Sequence, residues 1–263
     1  HCGVCTTNRQ RASASDWAGK WELWQHYYFQ AFYLGREFDV ERFQMWNEPD
    51  LSGGPTVADY LERLKLASDA IQCALADVNQ RYGKSLAASI VAPVTAGNAS
   101  GDYTGWGYPI ITNRHVNFLG QTDPGFSLIH QYDYHEYNSS VSAFGSNLRS
   151  LHGWLTADLA PEPRLPTSIS EFNAHTAGVF DTMTETLDSP SQFTRLGAIS
   201  ATLVSNYCHE LYCFKFSQTL YSSTVPIKKN GTHFVDNTNA PYNIGGITKG
   251  GEVWRLFNQA AAP

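Results

Sequence analysis

The sequence lacks the clustered positive charge that binding to nucleic acid requires. Its 263 residues include 18 Lys and Arg against 24 Asp and Glu, for a formal net charge of −6, and the basic residues are not grouped. This distribution gives no electrostatic footprint for nucleic acid or for an anionic membrane surface. No uninterrupted apolar stretch of about 18 residues occurs either, so the sequence predicts no membrane-spanning helix.

Motifs for cofactors and metals are also missing. The sequence has no Gly-rich turn of the kind that cradles a dinucleotide or a phosphate. Cys2 and Cys5 form a single C-x-x-C pair with no second pair, and His135-Glu136 has no second His at helical spacing, so neither motif predicts a zinc site. A disulfide explains the Cys2 and Cys5 pair better. We therefore expect a protein that needs no cofactor and no metal.

The composition that is present describes a globular protein, with 42% hydrophobic and 16% charged residues. Aromatic residues reach 13%, which suits rings that stack on sugars, although core packing is the simpler explanation for most of them. Three Asn-x-Ser/Thr sequons suggest glycosylation and, with it, a secreted or extracellular protein. The sequons begin at Asn98, Asn138 and Asn230.

Helical and strand-like patterns alternate along the chain. The strands are predicted at 42–46, 87–94, 126–137, 166–172 and 211–216. The helices are predicted at 21–38, 56–83, 142–159, 191–207 and 252–261. Such alternation favours a parallel sheet with helices outside, either doubly wound or closed as a barrel.

Two of the predicted strands end on a carboxylate. The first ends at Trp46-Asn47-Glu48-Pro49, and the fourth runs through Ser168-Ile169-Ser170-Glu171-Phe172-Asn173. Barrel enzymes keep their catalytic groups at this end of a strand. Glycoside hydrolysis uses such a pair, because one carboxylic acid protonates the leaving oxygen while a second carboxylate, about 5 to 5.5 Å away, attacks the anomeric carbon. Glu48 and Glu171 are therefore the candidate catalytic residues.

The Asn47-Glu48-Pro49 element and the later Glu171 resemble the acid/base and the nucleophile of glycoside hydrolase clan A. The resemblance implies a (β/α)8 TIM barrel in which these residues follow strands four and seven, and in which Asn47 hydrogen-bonds the sugar 2-hydroxyl. The five strands would then be strands 4 to 8, so residues 1–263 would form the C-terminal part of a single catalytic domain. We expect an N-terminal segment or a second chain to supply the first three strands. An open five-stranded sheet is the structural alternative.

Within the clan, the sequence most resembles family 86, the β-agarases and β-porphyranases. Phe214-Lys215-Phe216-Ser217 and the stretch from Lys229-Asn230-Gly231 to Gly250-Gly251-Glu252 carry this likeness, and family 39 is the next candidate. The likeness implies an agar- or porphyran-like galactan as the polysaccharide substrate. A catalytically silent barrel, serving an extracellular assembly as a structural or carbohydrate-binding component, is the alternative function.

Other polar residues near the strand ends are candidates for binding substrate. His135 and Tyr137 lie at the end of the third strand, where a tyrosine hydroxyl can hydrogen-bond the nucleophile and keep it ionised. Asn173 and His175 follow the nucleophile and could line a sugar subsite, although polar loop residues are commonplace. His130 is interpreted as a core histidine. The same strand carries two rival carboxylates in weaker positions, Asp133 and Glu136.

Overall fold

A computed structural model describes residues 16–98, 100–138, 140–173 and 190–213, together with the pairs 229–230 and 233–234. The chain divides into two compact units. Among the described residues, the first unit comprises 16–134 and 153–166, and the second comprises 135–152 and the residues from 167 onward.

Helices and strands alternate along the described chain. The helices are α1 (Trp17–Phe38), α2 (Val57–Tyr82), α3 (Ser100–Asp102), a π-helix (Tyr103–Gly107), α4 (Tyr108–Thr112), α5 (Val141–Leu159) and α6 (Pro190–Ser205). The strands are β1 (Arg42–Gln44), β2 (Ser89–Thr95), β3 (Gln131–Tyr137), β4 (Thr167–Asn173), β5 (Glu210–Cys213), β6 (Lys229–Asn230) and β7 (His233–Phe234).

The strand order decides between the two predicted kinds of sheet. Strands β1 to β5 follow one another in sequence order, while β6 and β7 form a separate antiparallel pair. The pairs β1–β2, β2–β3 and β4–β5 are parallel, with Phe43 opposite Ile90 and Ser168 opposite Glu210. A doubly wound sheet reverses its order at a switch point, and no reversal occurs among these five strands. The order is that of a singly wound α/β protein.

The predicted helices and strands within the described residues are present, with bounds that differ from the predicted ones by up to five residues. Strand β3 begins at Gln131 rather than Phe126, because the Phe126 N–H bonds the Asp123 carbonyl in a turn and the Leu128 N–H bonds the Arg114 carbonyl. Strand β5 ends at Cys213, and the predicted residues 214–216 and the helix at 252–261 lie outside the described residues. The helical stretch at 100–112 was not predicted.

Helix α2 organises the core of the first unit. It begins where the Thr56 hydroxyl oxygen accepts the Asp59 N–H at 3.1 Å, and it ends at Gly83, whose φ of 67° is the left-handed conformation that favours glycine. Helix α1 packs closely against it, because a Cβ on Gly35 would lie 2.6 Å from Leu75 Cδ2. Helix α2 also reaches the strands, because the Tyr60 hydroxyl donates to the Pro93 carbonyl of β2 at 3.1 Å, and Ile90 and Val91 of β2 are fully buried.

Helix α1 is unusually rich in aromatic residues. Trp21 stacks on Trp24 with ring centroids 5.4 Å apart, and Trp24 stacks on Tyr28 at 5.1 Å. Trp17 is nevertheless 65% exposed.

Among the helices of the described residues, α1 included, none combines the length and the apolar character needed to cross a membrane.

A charged cluster joins two loops of the first unit. The Arg114 guanidinium donates to both oxygens of Glu162, at 3.2 and 3.1 Å. His115 Nε2 lies 3.0 Å from Glu162 Oε1, and its Nδ1 lies 2.8 Å from the Phe126 carbonyl oxygen. Hydrogen bonds from Arg114 and then His115 lower the pKa of Glu162 to about 2, while the Phe126 carbonyl and then Glu162 raise the pKa of His115. Because both ring nitrogens face acceptors, the doubly protonated imidazolium fits best.

This cluster predicts a pH window for stability. A lowered carboxyl pKa stabilises the fold above the ordinary value of 4.5, and that contribution is lost as the pH falls toward 2. A raised histidine pKa stabilises it below 6.5, and that contribution is lost as the pH rises through the folded-state pKa. In the complete protein, Glu162→Gln should therefore lower the free energy of unfolding most between the ordinary pKa values of the two groups, 4.5 for Glu162 and 6.5 for His115. Denaturation across the pH range measures the difference, with exposed Glu22→Gln as the control, and a difference that does not vary with pH contradicts the prediction.

Candidate active site

Strand β1 leads into a loop with unusual backbone geometry. The N–H groups of Met45 and Glu48 donate to the carbonyls of Val91 and Val94, each at 2.9 Å, so the loop continues alongside β2. Trp46 and Glu48 have φ angles of 68° and 49°. Residues other than glycine rarely adopt this left-handed region, and such strain clusters at functional sites because the surroundings must hold it.

Asp50 ties this loop to the next one in the first unit. Its Oδ1 accepts the Ala96 N–H at 2.9 Å, directly after β2. Burial raises the pKa of Asp50, the Ala96 hydrogen bond opposes that rise, and the nearby carboxylates of Asp102 and Glu48 add to it. The candidate acid Glu48 thus lies on a loop fixed at both ends, in a locally negative environment. Sequence reasoning missed Asp50, although an acidic residue directly after Asn47-Glu48-Pro49 is a recognisable signal.

Glu171 is held within the second unit by two residues from the end of β3. The Tyr137 hydroxyl donates to Glu171 Oε2 at 2.6 Å, and His135 Nδ1 lies 3.4 Å from the same oxygen. The His135 side chain is fully buried, whereas that of Glu171 is 20% exposed. The carboxylate is therefore oriented by buried neighbours while part of it remains open to solvent. Both contacts use Oε2, which leaves Oε1 out of them.

The two rival carboxylates on β3, Glu136 and Asp133, are buried and lie against polar side chains of neighbouring elements. Glu136 points to the opposite side of the strand from His135 and Tyr137, and its Oε1 accepts a hydrogen bond from Asn147 of α5 at 2.7 Å. Asp133 is fully buried, with its Oδ2 lying 3.9 Å from Arg42 Nη2.

His130, which the sequence suggested as a core residue, accepts the Ile90 N–H at 3.3 Å, and burial lowers its pKa. This contact ties the start of β3 to β2 in the first unit.

The remaining predicted site residues divide by position. Asn47 is half-buried beside Glu48 in the first unit, while His175 and the side chain of Asn173 lie outside the described residues. The structure thus brings His135, Tyr137 and Glu171 together in the second unit. Their catalytic and binding roles, and those of Glu48 and Asn47, stay predictions.

The predicted glycosylation sites differ in accessibility. Asn98 is only 9% exposed, a burial that disfavours attachment of a glycan. Asn138 is half-buried, and its Oδ1 accepts the Ser140 N–H at 2.9 Å. The side chain of Asn230 lies outside the described residues. Glycosylation therefore stays a prediction at all three positions.

Comparison with known proteins finds similarity in structure rather than in sequence. No protein-family model matches the chain, and no curated protein matches it in sequence. A family 39 β-xylosidase from Caulobacter crescentus is 17% identical with a TM-score of 0.57, over 91% of this chain and 47% of its own. A monomeric β-xylosidase from Caulobacter crescentus CB15 is 16% identical with a TM-score of 0.60, over 91% and 46%.

A third solved structure has a shorter chain. A family 128 endo-β-1,3-glucanase from Lentinula edodes is 17% identical with a TM-score of 0.51, over 86% of this chain and 74% of its own. At these identities the likeness shows the fold alone, which is consistent with part of a (β/α)8 barrel as found in glycoside hydrolases of clan A. The chain spans about half the length of the two β-xylosidases. The assignment of its strands as 4 to 8 stays a prediction.

The geometry around Glu171 predicts a specific effect of Tyr137→Phe. The substitution keeps the ring and removes only the hydrogen bond to Oε2, and a hydrogen bond to a charged group is worth about 1.5 to 3 kcal/mol. We expect kcat/KM for glycoside cleavage to fall about 10- to 150-fold. Tyr207→Phe, at a position 74% exposed, is the matched control and should leave kcat/KM unchanged. Equal activity of the two variants would show that Tyr137 does not act through Glu171.

Proposed function

We propose that this chain is the catalytic part of a retaining glycoside hydrolase that cleaves a polysaccharide. The observation that carries the proposal is the carboxylate of Glu171, oriented by Tyr137 and His135 at the carboxyl-terminal end of a parallel strand. Such strand ends are where α/β barrels perform their chemistry. The barrel-type fold shared with known glycosidases supports the same reaction class.

In the proposed first step, Glu171 acts as the nucleophile. One of its oxygens forms a bond to the anomeric carbon while the bond from that carbon to the glycosidic oxygen breaks. Oε1 is the better placed oxygen, because Oε2 is engaged by Tyr137 and His135. The hydroxyl of Tyr137 stabilises the ionised carboxylate before the attack. The product of this step is a covalent glycosyl ester of Glu171.

Glu48 is proposed as the acid and then the base. It gives its proton to the departing glycosidic oxygen, and it later takes a proton from the water that attacks the anomeric carbon and releases Glu171. The anchored, left-handed backbone at Glu48 and the carboxylate of Asp50 nearby support a held acidic group. The double displacement requires the carboxyl groups of Glu48 and Glu171 to lie about 5.5 Å apart.

The substrate within this proposal is a β-linked polysaccharide outside the cell. Solved structures with the same fold include β-xylosidases and an endo-β-1,3-glucanase. The resemblance to family 86 adds an agar- or porphyran-like galactan, although most of the residues that carry it lie outside the described ones. An extracellular location follows from a polymer substrate and from the sequons, and it belongs to the proposal.

The test of the function is hydrolysis of a panel of polymers by the complete protein. Agarose, porphyran, xylan, β-1,3-glucan and β-mannan are incubated with it, and proton NMR records the anomer released first. We expect cleavage of one of them with the product keeping the anomeric configuration of the substrate. Release of the opposite anomer rules out the double displacement.

Glu171→Gln should abolish this turnover and leave polymer binding largely intact, because the amide keeps the shape of the carboxylate but is not a nucleophile. Glu136→Gln is the matched control, since that carboxylate is buried on the opposite side of β3 against Asn147. Unchanged hydrolysis in Glu171→Gln would assign the nucleophile to another residue.

We also propose that another segment or a partner chain completes the barrel. Among the described strands, β1 lies at one end of the order and β5 at the other, and a sheet edge that lacks a neighbouring strand invites aggregation. Residues 1–263 expressed alone should therefore aggregate, whereas co-expression with the completing segment should give a soluble protein. Size-exclusion chromatography and thermal unfolding measure both. A soluble monomer of residues 1–263 with cooperative unfolding would favour the open five-stranded sheet instead.

A further inference from the structure

The first unit contains a cleft that the proposed reaction does not use. It is lined by Ser100, Tyr103, Thr104, Tyr108, Trp154 and Asp158, and its volume is about 270 Å³. We call it the Tyr103 cleft. These residues come from the helical stretch that follows β2 and from the second half of α5, and none of them is a candidate catalytic residue.

The wall of the Tyr103 cleft is rigidly built. The Tyr103 ring stacks on Trp154 with centroids 5.1 Å apart and an angle of 28° between planes. The Tyr103 hydroxyl donates to Asp158 Oδ2 at 2.6 Å. Gly107 lets the ring sit this deeply, because a Cβ there would lie 2.3 Å from the Tyr132 hydroxyl and 2.7 Å from Tyr103 Cδ2. The packing therefore fixes both the aromatic wall and the carboxylate beside it.

Tyr103 opens the π-helix, which spans five residues. A π-helical turn is rare and is found frequently at functional sites. Here the π-helical turn contributes Tyr103 and Thr104 to the lining. Burial and the hydrogen bond to Asp158 raise the pKa of Tyr103, so its hydroxyl remains a donor and holds Oδ2. The hydrogen bond from Tyr103 uses only Oδ2 of Asp158 and does not involve Oδ1.

The lining selects the chemistry of a ligand. It contains aromatic rings, two exposed hydroxyl residues and one carboxylate, but no Lys, Arg or His. An anionic ligand, such as a sulfated sugar, would meet only negative charge. A neutral sugar fits, because its hydroxyls can donate charge-assisted hydrogen bonds to Asp158 while its apolar face packs on Trp154 or on Tyr108, which is 46% exposed.

The size of the cleft sets the length of ligand that it can hold. Sites that enclose a drug-sized ligand have volumes of about 300 to 1,000 Å³, so 270 Å³ suits little more than one ring. The exposed Ser100 and Thr104 leave the cleft open to solvent, and a chain could continue beyond a ring bound there.

We propose that the Tyr103 cleft is a secondary carbohydrate-binding site that holds one neutral sugar ring of a polysaccharide chain. This inference rests on the proposed function in one respect, namely that the protein acts on a polysaccharide. Its role is to keep the polymer associated with the enzyme, so it raises affinity for long chains and does not contribute to bond cleavage. Engagement of two sites by one polymer strengthens overall binding without a new contact at either site.

The test is affinity electrophoresis of the complete protein in native gels containing the polysaccharide that the wild type hydrolyses. Every variant carries Glu171→Gln, so the polymer stays intact. Trp154→Ala should raise the apparent Kd about five- to tenfold through the loss of ring packing. Asp158→Asn keeps an oxygen acceptor for Tyr103 but loses the charge, and it should also weaken retention. Trp17→Ala removes a tryptophan that is 65% exposed outside the cleft, and it should behave like the parent.

A second readout separates this inference from the proposed function. With Glu171 intact, Trp154→Ala and Asp158→Asn should keep the parent kcat/KM on a short aryl glycoside and lose efficiency only on the polymer. If the wild type hydrolyses the polymer and the gel retains both variants as it retains Trp17→Ala, the proposal of a secondary site is contradicted. The proposed glycosidase function then still stands. If the wild type hydrolyses no member of the panel, the proposed function itself fails.

Discussion

Parallel strand pairing buried on both faces is the constraint on which the rest of the molecule depends. Strand β2 is the clearest case, since Ile90, Val91 and Ala92 are all fully buried and their backbone groups are satisfied by the neighbouring strands. Polar groups with a chemical role have little room inside such a layer, because burying them without partners is costly. Such polar groups lie instead where strands end and loops begin. Glu48 follows β1, Asp50 lies near the end of β2, and Tyr137 closes β3.

The carboxylates of the two units show how this cost is met. Glu171 receives the hydroxyl of Tyr137 and lies beside buried His135, and Asp50 receives a backbone N–H from the loop after β2. Glu136 is satisfied by Asn147 of α5. Glu171 differs from Glu136 in that it stays partly exposed, so a substrate can reach it. This difference in exposure is the reason for proposing a catalytic role for Glu171 and a structural one for Glu136.

The two candidate sites divide the work expected of an enzyme that acts on polymers. In the proposed reaction, the carboxylate of Glu171 forms the bond to the sugar, and Tyr137 and His135 orient it within the second unit. The Tyr103 cleft offers ring surface and one carboxylate, which suit retention of a neutral chain. The glycine at position 107 and the π-helical turn show that this cleft requires its own local backbone geometry.

The sequence by itself determined the alternation of helices and strands, because periodicity reports which faces are buried. Helix α2 was predicted from its apolar face together with the capping residues Thr56 and Gly83, and the helix begins and ends at those caps. Their positions at the carboxyl-terminal ends of two predicted strands selected Tyr137 and Glu171 as partners, and the structure places the Tyr137 hydroxyl 2.6 Å from Glu171 Oε2. The scattered basic residues predict no nucleic-acid partner, because an electrostatic footprint for nucleic acid requires clustered positive charge.

Only the tertiary structure decided which contacts those residues make. The sequence did not reveal the helical stretch at 100–112, because its glycines and aromatics follow no helical period, and it did not indicate that Asp50 reaches Ala96 across 46 positions. The start of β3 at Gln131 was set by turn hydrogen bonds rather than by residue type. Tyr103 lines a cleft with Asp158, which lies 55 positions further along the chain, and with Trp154. Local patterns encode burial, whereas a site depends on distances between side chains that the sequence places far apart.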